Sequence, residues 1–257
     1  FQLRKAQDEQ FNFIIGDTKA MQQAMFMARK AAEANATVLI TGETGTGKEE
    51  IAKAIHKMSP RSSKQMLSLN VATFQETMVE SELFGYEPGA FTSAEKRKLG
   101  LFEIANEGIL FLDEIGSMEA PMQAKLLRVI QEQEFMRLGG TKIIKTDLQF
   151  IAASNQKLED LVEEGKFRKD LYYRLNVLSI QLPALRERLE DLPTLAAFFL
   201  KDLAPKKGKN ISGINSNAMD SLKEYLWPGN IRELRNVIER AVILCDEPEI
   251  GPQHIIL

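Results

Sequence analysis

A chain of 257 residues with 44% hydrophobic and 27% charged content can bury a sizeable core, and at roughly 150 residues per domain it makes one or two domains. Its formal net charge of -3 argues against a duplex-binding domain, which needs a concentrated basic surface, so any DNA contact is expected from a part of the protein outside this sequence. One cysteine, Cys245, excludes an intramolecular disulfide and a multi-thiolate metal site, and two histidines, His56 and His254, leave little for transition-metal ligation.

Residues 1 to 13, rich in Gln and charge, read as the remnant of a linker from a longer protein, and they lack the basic segment and apolar core of a secretion signal. No apolar run approaches the ~20 residues that span a bilayer, so the expectation is a cytoplasmic protein with no membrane partner. From there, short β-rich runs alternate with longer helical patterns. Thr37 to Thr41, Met66 to Asn70, Ile109 to Asp113, Leu148 to Ala153 and Val177 to Leu182 read as buried strands. Such alternation predicts an α/β fold with a parallel sheet covered by helices, over residues 14 to 183. After Pro183 the strand signal stops. Leu189 to Ala204, Ser216 to Trp227 and Ile231 to Cys245 show helical spacing only, which predicts a smaller all-helical subdomain over 184 to 257. Within it, Ala204 to Gly213 reads as a flexible, solvated connection.

The first strand runs into Gly42-Glu43-Thr44-Gly45-Thr46-Gly47-Lys48, and a helical pattern follows from Glu49. A phosphate-binding loop needs small residues that let backbone N–H groups face phosphate oxygens, a helix N-terminus with its positive dipole end, and a lysine for the outer phosphates; all three are here. The full pattern has Ser or Thr after the lysine to ligate magnesium, whereas Glu49 supplies no hydroxyl. The third strand, Ile109 to Asp113, ends in Asp113-Glu114. Burying it brings both acids to the sheet's carboxyl edge, where ligands of open α/β sheets collect. Adjacent strand residues face opposite sides, so the two acids are expected to do different work: Asp113 to hold Mg with ATP, Glu114 to polarise the attacking water.

Between these motifs stands Glu82-Leu83-Phe84-Gly85-Tyr86-Glu87-Pro88-Gly89-Ala90-Phe91-Thr92-Ser93-Ala94, followed by Gly100-Leu101-Phe102-Glu103. This closely resembles the signature of sigma-54-dependent transcription activators, the bacterial enhancer-binding proteins, whose loop reads Gly-Ala-Phe-Thr-Gly-Ala. The resemblance extends over nearly the whole chain, through Gly42 to Glu49, Phe111 to Gly116, Phe167 to Asn176, Leu185 to Arg188 and Trp227 to Leu234. In that family a Glu follows the P-loop lysine, as Glu49 does here. The resemblance implies an AAA+ P-loop NTPase core with a helical lid, and an ATPase that forms a hexamer or heptamer ring. It further implies that Gly89, Ala90, Phe91, Thr92, Ser93 and Ala94 contact sigma-54 within the RNA polymerase holoenzyme. Receiver or other sensory domains, as in two-component systems, and a C-terminal helix-turn-helix domain that binds DNA usually flank this module.

At matching positions the resemblance assigns Asn70 as the partner that restrains Glu114, Asn155 as the first sensor residue, and Arg168 and Arg174 as candidate arginine fingers reaching a neighbour's ATP. A neutral amide can hold a carboxylate or orient water without cancelling charge. Six helical steps would separate the two arginines by about 120°, so identical work is not expected of them; Arg168 is favoured for the terminal phosphate and Arg174 for the interface. Arg232 has an argument of its own. Trp227-Pro228-Gly229 forms a turn, and Asn230 with Glu233 three residues on reads as an N-cap and capping box. Arg232 then sits in a first helical turn, where a cation gains nothing from the dipole and suits a phosphate sensor. Trp227, Tyr172, Tyr173 and the methionines of 21 to 27 are assigned to packing.

Ser93 is the one departure from the family's loop, and it is the only support for a rival regulator that binds ATP and assembles without remodelling sigma-54. Serine in a left-handed conformation that glycine reaches freely costs on the order of 1 kcal/mol, which would hinder extension of the loop. Ser93→Gly is therefore expected to raise open-complex yield with sigma-54 holoenzyme at an unchanged ATPase rate. Equal yields from the two forms would mean that serine serves as well as glycine.

Overall fold

The protein is described here from a computed structural model that covers residues 16–73, 76–92 and 94–257. The linker remnant at 1 to 13 and Ser93 lie outside the described residues. Contacts group the chain into two units. One comprises Phe26–Thr41 and Lys48–Gln181; the other joins Gly42–Gly47 and Leu182–Leu257 with the described residues up to Met25. One break falls at Gln181 to Leu182, and the glycine-rich loop groups with the helical unit, which sequence did not suggest.

In the first unit, β1 (Val38–Thr41), β2 (Met66–Asn70), β3 (Ile109–Asp113), β4 (Gln149–Ser154) and β5 (Leu178–Gln181) form one parallel sheet in the order β2-β3-β4-β1-β5. The three inner strands are almost wholly buried, as parallel strands covered on both faces must be, and the two edge strands are partly exposed. Helix α1 (Lys19–Ala34) ends at Asn35, whose φ of +50° marks a left-handed stop. Helix α2 (Lys48–Met58) carries Glu49 and Glu50 in its first turn and His56 and Lys57 in its last, a distribution that complements the helix dipole, and it buries Ile51, Ala52 and Ile55. There follow α3 (Glu76–Phe84), α4 (Leu101–Ile104), α5 (Ala120–Glu132), α6 (Leu158–Glu163) and α7 (Lys169–Leu175).

Two small hairpins interrupt this alternation. Gly85–Tyr86 pairs antiparallel with Lys98–Leu99, and Glu134–Phe135 with Ile144–Lys145. Both are rooted in one aromatic cluster. Phe102 packs edge-on against Phe84 at 5.1 Å and against Phe150 of β4 at 6.2 Å, and its ring lies 5.5 Å from Phe135. Backbone bonds join the hairpins directly: Leu138 N–H donates to Gly85 O and Glu87 N–H to Leu138 O, each at 3.0 Å. Gly85 has φ +67°, and a Cβ there would stand 2.4 Å from Lys98 O, so only glycine lets the chain turn this tightly at the hairpin's root.

The second unit has its own core, in which α8 (Leu192–Lys206), α9 (Ser216–Glu224) and α10 (Asn230–Leu244) bury Leu195, Phe199, Leu222, Trp227, Leu234 and Ile238. Trp227 is fully enclosed and its Nε1–H donates to Leu222 O at 2.8 Å, which bears out the packing assignment. The flexible connection expected from Ala204 to Gly213 is shorter than that. Helix α8 runs on through Pro205 to Lys206, because Leu203 and Ala204 are buried in the core and hold its last turn, and Gly213 already pairs with Glu249 in a two-stranded parallel ladder. Among the described residues no helix is long and apolar enough to cross a membrane.

Candidate functional site

Parallel pairing sets Asn70, at the end of β2, in register with Asp113, at the end of β3. Thr41 of β1 is likewise in register with Ser154 of β4, so Asn155, one residue beyond, reaches the same edge and is exposed there. The Asn70 side chain donates from Nδ2 to Asp113 Oδ2 at 3.4 Å and accepts from Ala72 N–H at 3.0 Å. The two acids do not alternate along a strand as expected. The strand ends at Asp113, and Glu114 turns off it with φ +54° and ψ +43°, while its N–H donates to Asp113 Oδ1 at 3.0 Å. Glu114 is thus set apart from Asp113 by the turn rather than by the pleat.

The loop Gly42–Gly47 is held by the helical unit. Gly45 O accepts from Ile231 N–H at 2.9 Å and from Arg232 N–H at 3.3 Å, taking two of the N–H groups that a helix start leaves without partners. Gly45 itself has φ +82°, and a Cβ there would stand 2.3 Å from Gly229 O. With the loop carbonyl capping α10, Asn230 is released from the capping role assigned to it. Its side chain, 0% exposed, instead accepts from Leu185 N–H at 2.8 Å and donates to Thr44 O at 3.0 Å and Glu43 Oε2 at 3.2 Å. Glu233 does bond back to the helix start, but to Gly229 N–H, at 2.8 Å.

Glu43 meets Arg186 through two parallel hydrogen bonds of 2.6 and 2.8 Å. That guanidinium, with help from Asn230, holds the Glu43 carboxyl well below the ordinary range, at about 2. Thr46 is buried, with its hydroxyl donating to Glu43 O at 2.8 Å and its carbonyl accepting from Arg188 Nη2 at 3.0 Å. Lys48, first residue of α2, is buried, whereas Glu49 is exposed and paired with Lys53 at 2.9 Å.

Arg168 is not on a helix. It precedes α7 with extended φ and ψ of -71° and 129°, so the 120° separation from Arg174, which does lie in the last turn of α7, loses its basis. Its guanidinium is exposed and paired with Asp170 at 2.7 Å. Its backbone N–H donates at 2.7 Å to Gln123, a buried residue that sequence reading passed over. Tyr172 packs against the core and donates to Glu159 at 2.6 Å, but Tyr173 is 63% exposed and contributes little packing.

Gly89 to Thr92 lies at the outer end of the first hairpin. Gly89 N–H donates to Ala94 O at 2.8 Å, Ala94 is buried, and Phe91 stays 42% exposed with its ring edge-on to Tyr86 at 4.8 Å. The hairpin is braced by Arg137, which binds Glu87 and takes Glu103 through bonds of 2.7 and 3.0 Å. This clamp was not read from the sequence, where the three charges are scattered.

The family described as "Sigma-54 interaction domain" matches residues 14–181, and "AAA+ ATPase lid domain" matches 186–256. The chain belongs to the sigma-54 interaction domain family. It is an AAA+ ATPase module. The formate hydrogenlyase transcriptional activator FhlA of Escherichia coli is 51% identical over 92% of this chain and 34% of its own length. The Nif-specific regulatory protein of Azotobacter vinelandii is 48% identical over 93% of this chain and 46% of its own, and ZraR of Escherichia coli 51% over 94% and 55%. The chain thus spans between about a third and about half of these relatives. Crystal structures of NtrX from Brucella abortus, in complex with ADP and with ATP, superpose with TM-scores of 0.88 and 0.87, each at 38% identity over 99% of this chain and 57% of NtrX.

In this AAA+ module the amide of Asn230 is the buried joint of the loop Gly42–Gly47. Asn230→Ala removes the acceptor of Leu185 N–H and the donors to Glu43 and Thr44, for an expected loss of about 2 kcal/mol in stability. Asn230→Asp keeps the acceptor but turns an anionic oxygen toward Glu43, so nucleotide affinity is expected to fall more than stability does. Thermal melts alongside titration with a fluorescent ATP analogue measure both; unchanged affinity in Asn230→Asp would mean that the loop holds its shape without this joint.

Proposed function

We propose that this module is the motor of a sigma-54-dependent transcription activator. It assembles into a hexamer or heptamer ring and uses ATP hydrolysis to drive the loop Gly89 to Ala94 against sigma-54, helping the RNA polymerase holoenzyme open promoter DNA in the cytoplasm. DNA contact belongs to a C-terminal domain outside this sequence. The observation that carries this reading is the hairpin: it leaves Phe91 exposed at its outer end while its root is packed, through Phe102 and Phe150, on the strand beside the one that ends in the acid pair.

For hydrolysis, Gly42 to Gly47 would cradle the phosphates with backbone N–H groups and Lys48 would neutralise the outer ones. Among the described residues there is no cluster of three or more acidic, histidine or cysteine side chains that could cage a metal by itself. Magnesium carried on the nucleotide would instead be held by one carboxylate, that of Asp113 at the end of β3. Magnesium so held would neutralise charge on the phosphate oxygens. Glu114 would take the proton of the attacking water as its oxygen adds to the terminal phosphorus and ADP leaves, with Asn70 restraining Glu114 and Asn155 orienting the water. Arg232 would sense phosphate in its own subunit. Arg168 would reach the terminal phosphate of a neighbour's ATP, and Arg174 would hold that interface or assist.

Two measurements test these roles. Lys48→Ala is expected to abolish ATP binding, and Glu114→Gln to keep binding and lose hydrolysis; equal loss of binding in both would refute the division of work. A finger that acts on a neighbour must also be complementable. Mixing Arg168→Ala with Lys48→Ala subunits should restore ATPase activity above either parent, since an intact loop on one subunit then faces an intact arginine on the next. Mixtures that assemble and stay at the parents' level would remove Arg168 from this role.

A further inference from the structure

Gln123 is 0% exposed, on the core-facing side of α5 among Met122, Leu126, Leu127 and Ile130. An amide buried there is costly unless its hydrogen bonds are made, and three of them are. Nε2 donates to Met118 O at 2.7 Å and to Lys166 O at 2.9 Å, and Oε1 accepts from Arg168 N–H at 2.7 Å. Two carbonyls on one end and an N–H on the other also fix which way the amide faces.

The two ends of this bridge are functionally unlike. Met118 closes the turn that begins at Glu114, whose carbonyl accepts from Ser117 N–H at 3.0 Å, while Met118 N–H donates to Ile115 O at 3.1 Å. Arg168 is gripped at its backbone, whereas among the described residues its guanidinium is held by an exposed pair with Asp170, the class of contact worth about 1 kcal/mol or less. The arginine therefore has a fixed root and a releasable head. We infer that Gln123 is the positioning residue that registers the root of the Arg168 finger against the Glu114 turn of the same subunit, so that a shift of that turn changes how the finger is offered to the neighbouring subunit. This rests on the trans role proposed for Arg168.

Gln123→Met keeps the length and burial of the side chain and removes all three bonds. ATP affinity should stay within about twofold of the unsubstituted chain while kcat falls about tenfold or more, since misplacing a reacting group acts on the chemical step. A merely structural role would lower both. Mixing then decides where the defect lies. A Gln123→Met subunit retains its own phosphate loop and acids, so beside a Lys48→Ala subunit it receives an intact finger, and the mixture should exceed the sum of its parents. No gain here, when the Arg168→Ala and Lys48→Ala mixture does gain, overturns the inference and leaves the finger intact; no gain in either mixture removes the finger and the inference with it. A measurement on the unsubstituted chain guards against a variant that fails to fold. Below the concentration at which subunits assemble, binding of a non-hydrolysable ATP analogue should change the hydrogen-exchange rate of the Arg168 amide, and an unchanged rate overturns the inference.

Discussion

Parallel pairing is the constraint from which the placement of the acid edge follows. Because all five strands run the same way, their carboxyl ends fall on one side, and the register of Asn70 with Asp113 and of Thr41 with Ser154 fixes what stands there. No side-chain contact has to be specified to bring an amide beside an acid or to aim the chain leaving β1 toward α2. The apolar inner strands supply the stability, since each is covered on both faces, and the polar residues are confined to the strand ends where the ladder stops.

The hairpins use the same sheet differently. Their roots are apolar and buried, built from Phe84, Phe102 and Phe135 against Phe150, and the Arg137 clamp on Glu87 and Glu103 is nearly enclosed on the arginine side. Hydrogen bonds to charged groups in such a setting are stronger than those on open surface. Beyond Glu87, no such clamp holds Phe91 among the described residues, and its ring rests edge-on against Tyr86. A stiff root and a lightly held end are what a lever needs if motion at the sheet edge is to reach a partner.

Much of this was legible in the sequence. Five strands, the loop after the first, the acid pair after the third and the change to helices near residue 183 follow from apolar runs and the residues that end them. What failed did so for identifiable reasons. Asn230 looked like a cap because the local pattern fits one, but Gly45 O had already taken that position from 185 residues away in sequence numbering. Arg168 looked helical because its neighbours are, yet Gln123 holds its backbone extended. Gln123 did leave a trace: an uncharged polar residue at a core-facing position of an otherwise apolar helix stripe. Pro205 suggested a break, and burial of Leu203 and Ala204 overrode it.

Two kinds of polar contact stand out among the described residues, one enclosed and one open to water. Gln123 and Asn230 are enclosed amides, each bonded to backbone on two or more segments. Being neutral, they lose little to desolvation once bonded, and pulling one out exposes several unsatisfied groups together. Arg168 with Asp170 and Arg186 with Glu43 are ion pairs open to water, screened by salt and weakened by solvent. Arg186 and Asn230 hold the Glu43 carboxyl at about 2, so protonation does not break that pair near neutral pH, though another anion could compete for the guanidinium. A phosphate group is such a competitor for a guanidinium. Gln123 thus bonds the backbone of Arg168 itself and Asn230 that of Leu185, the residue before Arg186, whereas both guanidinium groups are held in open pairs for which a phosphate could compete.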